Sequence, residues 1–205
     1  MEIFALFQKG GLVMWPLLIC SIIAICILIE RIRTYRAAKS NVETLKVEIK
    51  ESLAKGQIDS LRKAAEKDGG VAGQLLYTAL EGKGSLEEQQ ALISGTAATI
   101  AGRLRAHLNY LDTIVTLAPL LGLLGTVTGM ISAFSVMNIT DGQPFAITGG
   151  VGEALIATAT GLCVAILALI IHTYLAQQQD GLITDMEEVA NTYISTLSEG
   201  DRHAI

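Results

Sequence analysis

Charge-free runs alternate with charge-dense stretches along these 205 residues, and the alternation predicts most of the architecture. No Asp, Glu, Lys or Arg occurs in 10–29, 113–137 or 154–179. A helix crossing the hydrocarbon of a bilayer needs roughly 20 predominantly apolar residues, so each window is long enough to span. Between the first two windows the pattern changes. Val42, Leu45, Ile49 and Leu53 recur at three- and four-residue steps among Lys and Glu, which predicts an amphipathic helix continuing from the first span and stopped by Gly56. Two short helices are expected next, over 58–67 and 71–80, punctuated by Asp68-Gly69-Gly70 and by Gly82 and Gly84.

Ser85-Leu86-Glu87-Glu88 has the form of a capping box, in which the serine hydroxyl and the glutamate carboxylate satisfy two orphan amides. With no proline or glycine pair between there and Pro119, one helix of about 75 Å is expected to run from this cap into the second span. The third span is expected to continue through Leu182, Ile183, Met186, Val189 and Ile194 as far as Gly200. The fold class is therefore an all-α integral membrane protein of three transmembrane helices with long cytoplasmic helical extensions. Its segments are 1–30 (outer end and first span), 31–112 (cytoplasmic helices), 113–137 (second span), 138–147 (short outer loop), 148–174 (third span) and 175–205 (cytoplasmic helix and tail).

The flanks set the orientation. Of the 15 Lys and Arg residues, 13 lie in 31–105, and the 138–147 connection has none. The positive-inside rule then places the amino terminus outside, with the large connection and the carboxyl terminus in the cytoplasm. The first window is longer than a signal-peptide core and is followed by Glu30, Arg31, Arg33 and Arg36 rather than a small-residue cleavage site, so it is read as an uncleaved span. Trp15 and Pro16 suit its outer end, as an interfacial anchor and a first-turn proline.

Composition adds little to this pattern. A mean hydropathy of +0.47 with 17% charged residues agrees with an intramembrane class, and a net charge of −5 gives no case for nucleic acid. Cys20, Cys26 and Cys163 fall inside the spans and read as small hydrophobes without metal or disulfide spacing. No HExxH, GxSxG or phosphate-binding loop occurs, and His107, His172 and His203 are scattered, so neither an enzyme nor a cofactor is expected.

The second and third spans differ from simple anchors. Ala118, Gly122, Gly125, Gly129 and Ser132 make one narrow face, and Ala154, Thr158, Gly161, Ala165 and Ala168 make another. Such stripes favour close helix packing in lipid. Thr126 flanks the first stripe, and membrane threonines usually bond back to their own helix. Pro119 removes a backbone donor inside the second span and should loosen it. Glu153 opens the third span. As a carboxylate at a helix amino terminus it could be a wetted cap, or it could face an interior cavity and attract cations. Its position leaves both open. The combination favours an ion-conducting membrane subunit over a membrane scaffold or signalling subunit that passes no ions.

The run APLLGLLGTVTGMISAF, followed by EALIATATGL and preceded by WPLL and an Ile-Glu-Arg edge, resembles the MotA/TolQ/ExbB proton-channel family. The three-span layout is similar to its ExbB/TolQ branch rather than to four-span MotA stators. The resemblance implies a homopentamer around a central pore that holds two copies of an ExbD/TolR-like single-span partner, whose helix carries the aspartate that is protonated and released. It implies ion-pathway roles for Thr126, Glu153 and Thr158, with Gly122, Gly125, Gly129, Ala154, Gly161 and Pro119 packing the helices or lining the pore. It also implies that proton flow turns pentamer and dimer relative to one another, doing work on the cell envelope.

Overall fold

The computed structural model describes residue 7 and residues 10–82, 84–137 and 144–203, with the side chains of 136–137, 144–148 and 200–203 left aside. Among the described residues every regular element is an α-helix: α1 (Met14–Ala38), α2 (Val42–Ala54), α3 (Ile58–Asp68), α4 (Val71–Glu81), α5 (Leu86–Arg105), α6 (Leu108–Met137) and α7 (Pro144–His203). Three helical stretches are long and apolar enough to cross a membrane, and each overlaps one of the three charge-free windows. The expected outer loop over 138–147 is entered by α7, which begins at Pro144, and 138–143 lies outside the described residues. α7 then continues as one helix past Gly200 to His203.

Two expectations fail at helix junctions. The amphipathic helix does not continue the first span, because the chain leaves helix after Ala38 and restarts under the cap of Asn41, whose side chain accepts the Thr44 amide at 3.2 Å. Nor does one helix run from Ser85 into the second span. It breaks at Ala106 and His107, where His107 takes a left-handed φ of 71°. The sequence holds no glycine or proline there, so no local signal marked the break. It is stabilised from a distance: Arg31 Nη1 donates to the Arg103 carbonyl at 3.3 Å, and the Tyr35 hydroxyl donates to the Leu104 carbonyl at 2.8 Å. These are among the last carbonyls of α5, where the Arg103 carbonyl also accepts the Ala106 amide at 3.3 Å and the two side chains add to that capping.

The chain divides into two compact units: residues 1–29 with 107–174, and residues 30–106 with 175–205. In the second unit the short helices have a conventional core. Leu45, Ile49, Leu61, Leu75, Leu76, Leu175, Met186 and Val189 are almost completely buried. Punctuation follows the expected residues, with Gly56 and Gly69 both at φ 67°. Gly70 precedes α4 without a capping side chain, and the Ser40 hydroxyl accepts the Ala72 amide instead, at 3.0 Å. Asp68 accepts the amides of Asn41 and Gly70, joining the end of α3 to the start of α2. The capping box of α5 forms as read, with Ser85 Oγ accepting from Glu88 N and Glu88 Oε2 accepting from Ser85 N.

The first unit is built differently. Many of its buried residues are small: Ala24, Ala118, Ala133, Ala154, Ala157 and Ala168 are each at most 3% exposed, beside a few large ones such as Leu17 and Leu111. Many of its large side chains, among them Ile22, Leu120, Leu123, Ile131, Leu155, Ile166 and Ile170, are exposed and point outward. That inversion suits surroundings as apolar as leucine, where packing favours small contact residues and the bulky ones meet lipid or another chain.

Candidate functional site

The glycine stripe of α6 and the small face of α7 meet each other. A Cβ on Gly122 would stand 3.1 Å from the Thr158 Cα, and one on Gly161 would stand 2.6 Å from the Ala118 carbonyl oxygen and 3.0 Å from the Gly122 Cα. A Cβ on Gly129 would lie 3.0 Å from the Gly150 carbonyl oxygen and 3.2 Å from the Ala154 Cβ, and one on Gly125 would collide with Ala157. Any side chain at these positions would push two backbones apart. The faces expected to pack the helices or line a pore are therefore packed against one another within one chain. Pro119, half-buried beside this contact, is accommodated without interrupting α6.

The three residues expected on an ion path lie around this interface. The Thr158 hydroxyl crosses it and donates to the Gly122 carbonyl at 3.0 Å. That is the carbonyl to which the helical ladder pairs the Thr126 amide, so the two threonines share one point on α6. The Thr126 hydroxyl donates back to the Leu123 carbonyl at 2.6 Å. It borders an open groove of about 510 Å³ lined with Val127, Met130, Ile131 and Phe134. Glu153 is half-buried and not brought against either threonine by any described bond. Its carboxylate packs on the chain ahead of α1, where Gly11 (φ +72°) leaves the space that a Cβ would take. Gly11 thus makes room for this carboxylate, a link between positions too far apart for spacing to show.

One further polar pair lies in the same unit. His172 Nε2 and Asp112 Oδ1 are 3.2 Å apart, joining α7 to α6. Neither residue stood out as a site in the sequence. The signal that could have found them is positional: Asp112 is the last charge before the second window, and His172 is the sole histidine of the third. No group of three or more metal-ligating side chains occurs among the described residues.

Comparison with known proteins supplies the class. The family model for the MotA/TolQ/ExbB proton channel family matches residues 61–188, which contain α6 and the intramembrane part of α7. The chain belongs to the MotA/TolQ/ExbB family. A biopolymer transport protein of Synechocystis, ExbB-like 1, is 36% identical over 84% of this chain and 70% of its own length. The biopolymer transport protein ExbB of Neisseria meningitidis is 32% identical over 90% of each chain. The exbB1 protein of Vibrio cholerae is 29% identical over 94% of this chain and 87% of its own. The chain is thus a membrane protein of this family, and the tight α6–α7 contact is a structural property of the member described here.

Proposed function

We propose that the chain is the channel subunit of an ExbB–ExbD/TolQ–TolR-like motor of the inner membrane, which passes protons and converts their motive force into mechanical work on the cell envelope. The observation that carries this reading is the family match across both signature spans, together with what those spans contain. Within 113–137 and 154–179 they hold hydroxyls but no Asp, Glu, Lys or Arg. A proton-carrying acid at mid-membrane must then come from another chain, and a single-span ExbD/TolR-like dimer in the centre of a homopentamer would supply it. The amino terminus is periplasmic and the carboxyl terminus cytoplasmic, as the basic residues require. Thr126, Glu153 and Thr158 flank the path, and the bulky outward residues of α6 and α7 meet lipid, a neighbouring protomer or the partner. Each unit charge moved through 100 mV releases about 2.3 kcal/mol, enough to bias a rotary step of a loosely held inner dimer. The work proposed consists of proton movement and rotation without conversion of a substrate, so it calls for neither an enzymatic activity nor a cofactor.

A second reading is favoured by one observation. Because the small faces close on each other, they could serve packing alone, and the chain would be a membrane scaffold or signalling subunit that passes no ions. Glu153→Gln and Thr158→Val separate the two when the complex is purified with its partner and assayed for proton flux in liposomes. Loss of flux with native assembly, checked by native mass measurement, supports conduction. Full flux in both variants refutes the proposed pathway residues, and absence of flux in the parent complex supports the scaffold.

A further inference from the structure

Resting on the conducting role proposed above, we infer that Asp112 and His172 form the proton-transfer pair at the cytoplasmic mouth of the path. Asp112 stands one residue before the charge-free window of α6, and His172 lies in the later part of the charge-free window of α7, so both fall on the side that the basic residues assign to the cytoplasm. His172 is the single imidazole, carboxylate or amine between Glu153 and Asp180. Glu153 and His172 are separated by nineteen residues of one helix, about 28 Å at 1.5 Å per residue. The hydrocarbon core is about 30 Å thick, so the two groups mark its two faces on α7.

The exposure of the pair fits a handover. The imidazole side chain is 24% exposed and the Asp112 side chain 63%, so one partner is largely withdrawn and the other largely wetted. The remaining described titratable groups of this unit are Cys20 and Cys26 on α1, His107 just ahead of α6, Tyr110 on α6, and Glu153, Cys163 and Tyr174 on α7. None of them is a Lys or Arg that would compete for the Asp112 carboxylate.

The transfer balances without another reactant. A hydrated proton of the path, leaving neutral water behind, protonates Nδ1 of neutral His172 while the Nε2 proton passes to the Asp112 carboxylate at Oδ1. The resulting carboxylic acid releases its proton to cytoplasmic water, and exchange with water restores the starting tautomer. One proton enters as one leaves.

The test uses the full chain purified with its single-span partner and reconstituted in liposomes that contain a pH-sensitive dye. A potassium diffusion potential drives the flux. His172→Gln is expected to lower flux about tenfold or more and to change the dependence of flux on pH at the cytoplasmic face. The exchanged pair, Asp112→His with His172→Asp, is expected to recover most of the flux and that dependence. The neutral pair, Asp112→Asn with His172→Gln, leaves a polar side chain on each helix without a titrating group, so it controls for assembly. Wild-type flux in His172→Gln or in the neutral pair would overturn the inference in favour of a structural tie. A parent complex that passes no protons would instead refute the conducting role, and this inference with it.

Discussion

Replacing Gly161 by alanine adds one methyl group where the packing leaves no room. The new Cβ would meet the Ala118 carbonyl oxygen at 2.6 Å, the Gly122 Cα at 3.0 Å and the Gly122 nitrogen at 3.2 Å. All three are backbone atoms, so no side chain can rotate away, and ordinary contact requires α6 and α7 to part by about 0.8 Å. A gap of that size forfeits a quarter to a half of each dispersion contact along the seam. It also lengthens the 3.0 Å bond from Thr158 to the Gly122 carbonyl beyond useful range. Overpacking of this kind costs about 1–3 kcal/mol, against which alanine returns about 1 kcal/mol of helix propensity. The net expectation is a loss of up to about 2 kcal/mol. Gly152 is the internal control, since it lies on the same helix and an added methyl group there would meet nothing within 4 Å. At that position the same change should gain about 0.5–1 kcal/mol. Scanning fluorimetry of the detergent-solubilised protein should therefore separate the two variants by up to about 10 °C. Equal melting temperatures, or a more stable Gly161→Ala, would refute the claim that these backbones are in contact.

Three other outcomes follow from single contacts. Arg31→Met removes a charged donor from the last carbonyls of α5 and should cost about 2–3 kcal/mol, with Tyr35→Phe costing about 1 kcal/mol; unchanged melting of both would show that the break at His107 needs no remote cap. Ser85→Ala should cost about 1 kcal/mol by opening the capping box, read as faster amide exchange in the first turn of α5 with α6 unaffected. Burial pushes the Asp185 carboxyl above its ordinary 3.8, with Glu188 adding to the shift and Lys39 opposing it. The folded form then binds that proton more tightly than the unfolded chain does, so the group costs stability above its raised pKa and the cost fades as pH falls through it. Asp185→Asn should accordingly raise the melting temperature at pH 7.5, and the advantage should shrink toward pH 4; a constant difference across that range would refute the burial argument.

What could be read from the sequence was local. Charge-free windows reveal spans because hydrocarbon admits few alternatives. Gly56, Gly69 and Gly82 reveal helix ends because glycine fixes them within a few residues, and the Ser85–Glu88 box is a four-residue device. The break at Ala106 and His107 was hidden because its cause lies about 70 positions away, in Arg31 and Tyr35. The restart at Val42 was hidden for a related reason, since Asn41 and Ser40 act together with Asp68 and Ala72 across a fold the sequence does not display. The same limit applies at the candidate site. Thr126 and Thr158 could be named from residue type and resemblance, but the shared Gly122 carbonyl appears only once α6 and α7 are paired. The seating of Glu153 on Gly11 likewise depends on how the chain ahead of α1 returns to α7.

That pairing determines what the hydroxyls can offer a passing ion. A threonine hydroxyl has one proton to donate and two lone pairs to accept with. Thr126, Thr128, Thr158 and Thr160 each have a backbone carbonyl as partner, to Leu123, Leu124 or Gly125, Gly122 and Ile156 respectively. A carbonyl cannot donate, so in every case the hydroxyl proton is already committed to the protein. What remains facing outward is lone pair. Oxygen lone pairs stabilise a hydrated proton or a metal cation and offer nothing to an anion, and no described Lys or Arg in this unit reverses that sign. Helix packing and charge preference thus have a common origin. The contact that brings α6 against α7 also consumes the Thr158 donor, and back-bonding consumes the other three, leaving spans that contain no mid-membrane carboxylate with a surface biased toward positive charge.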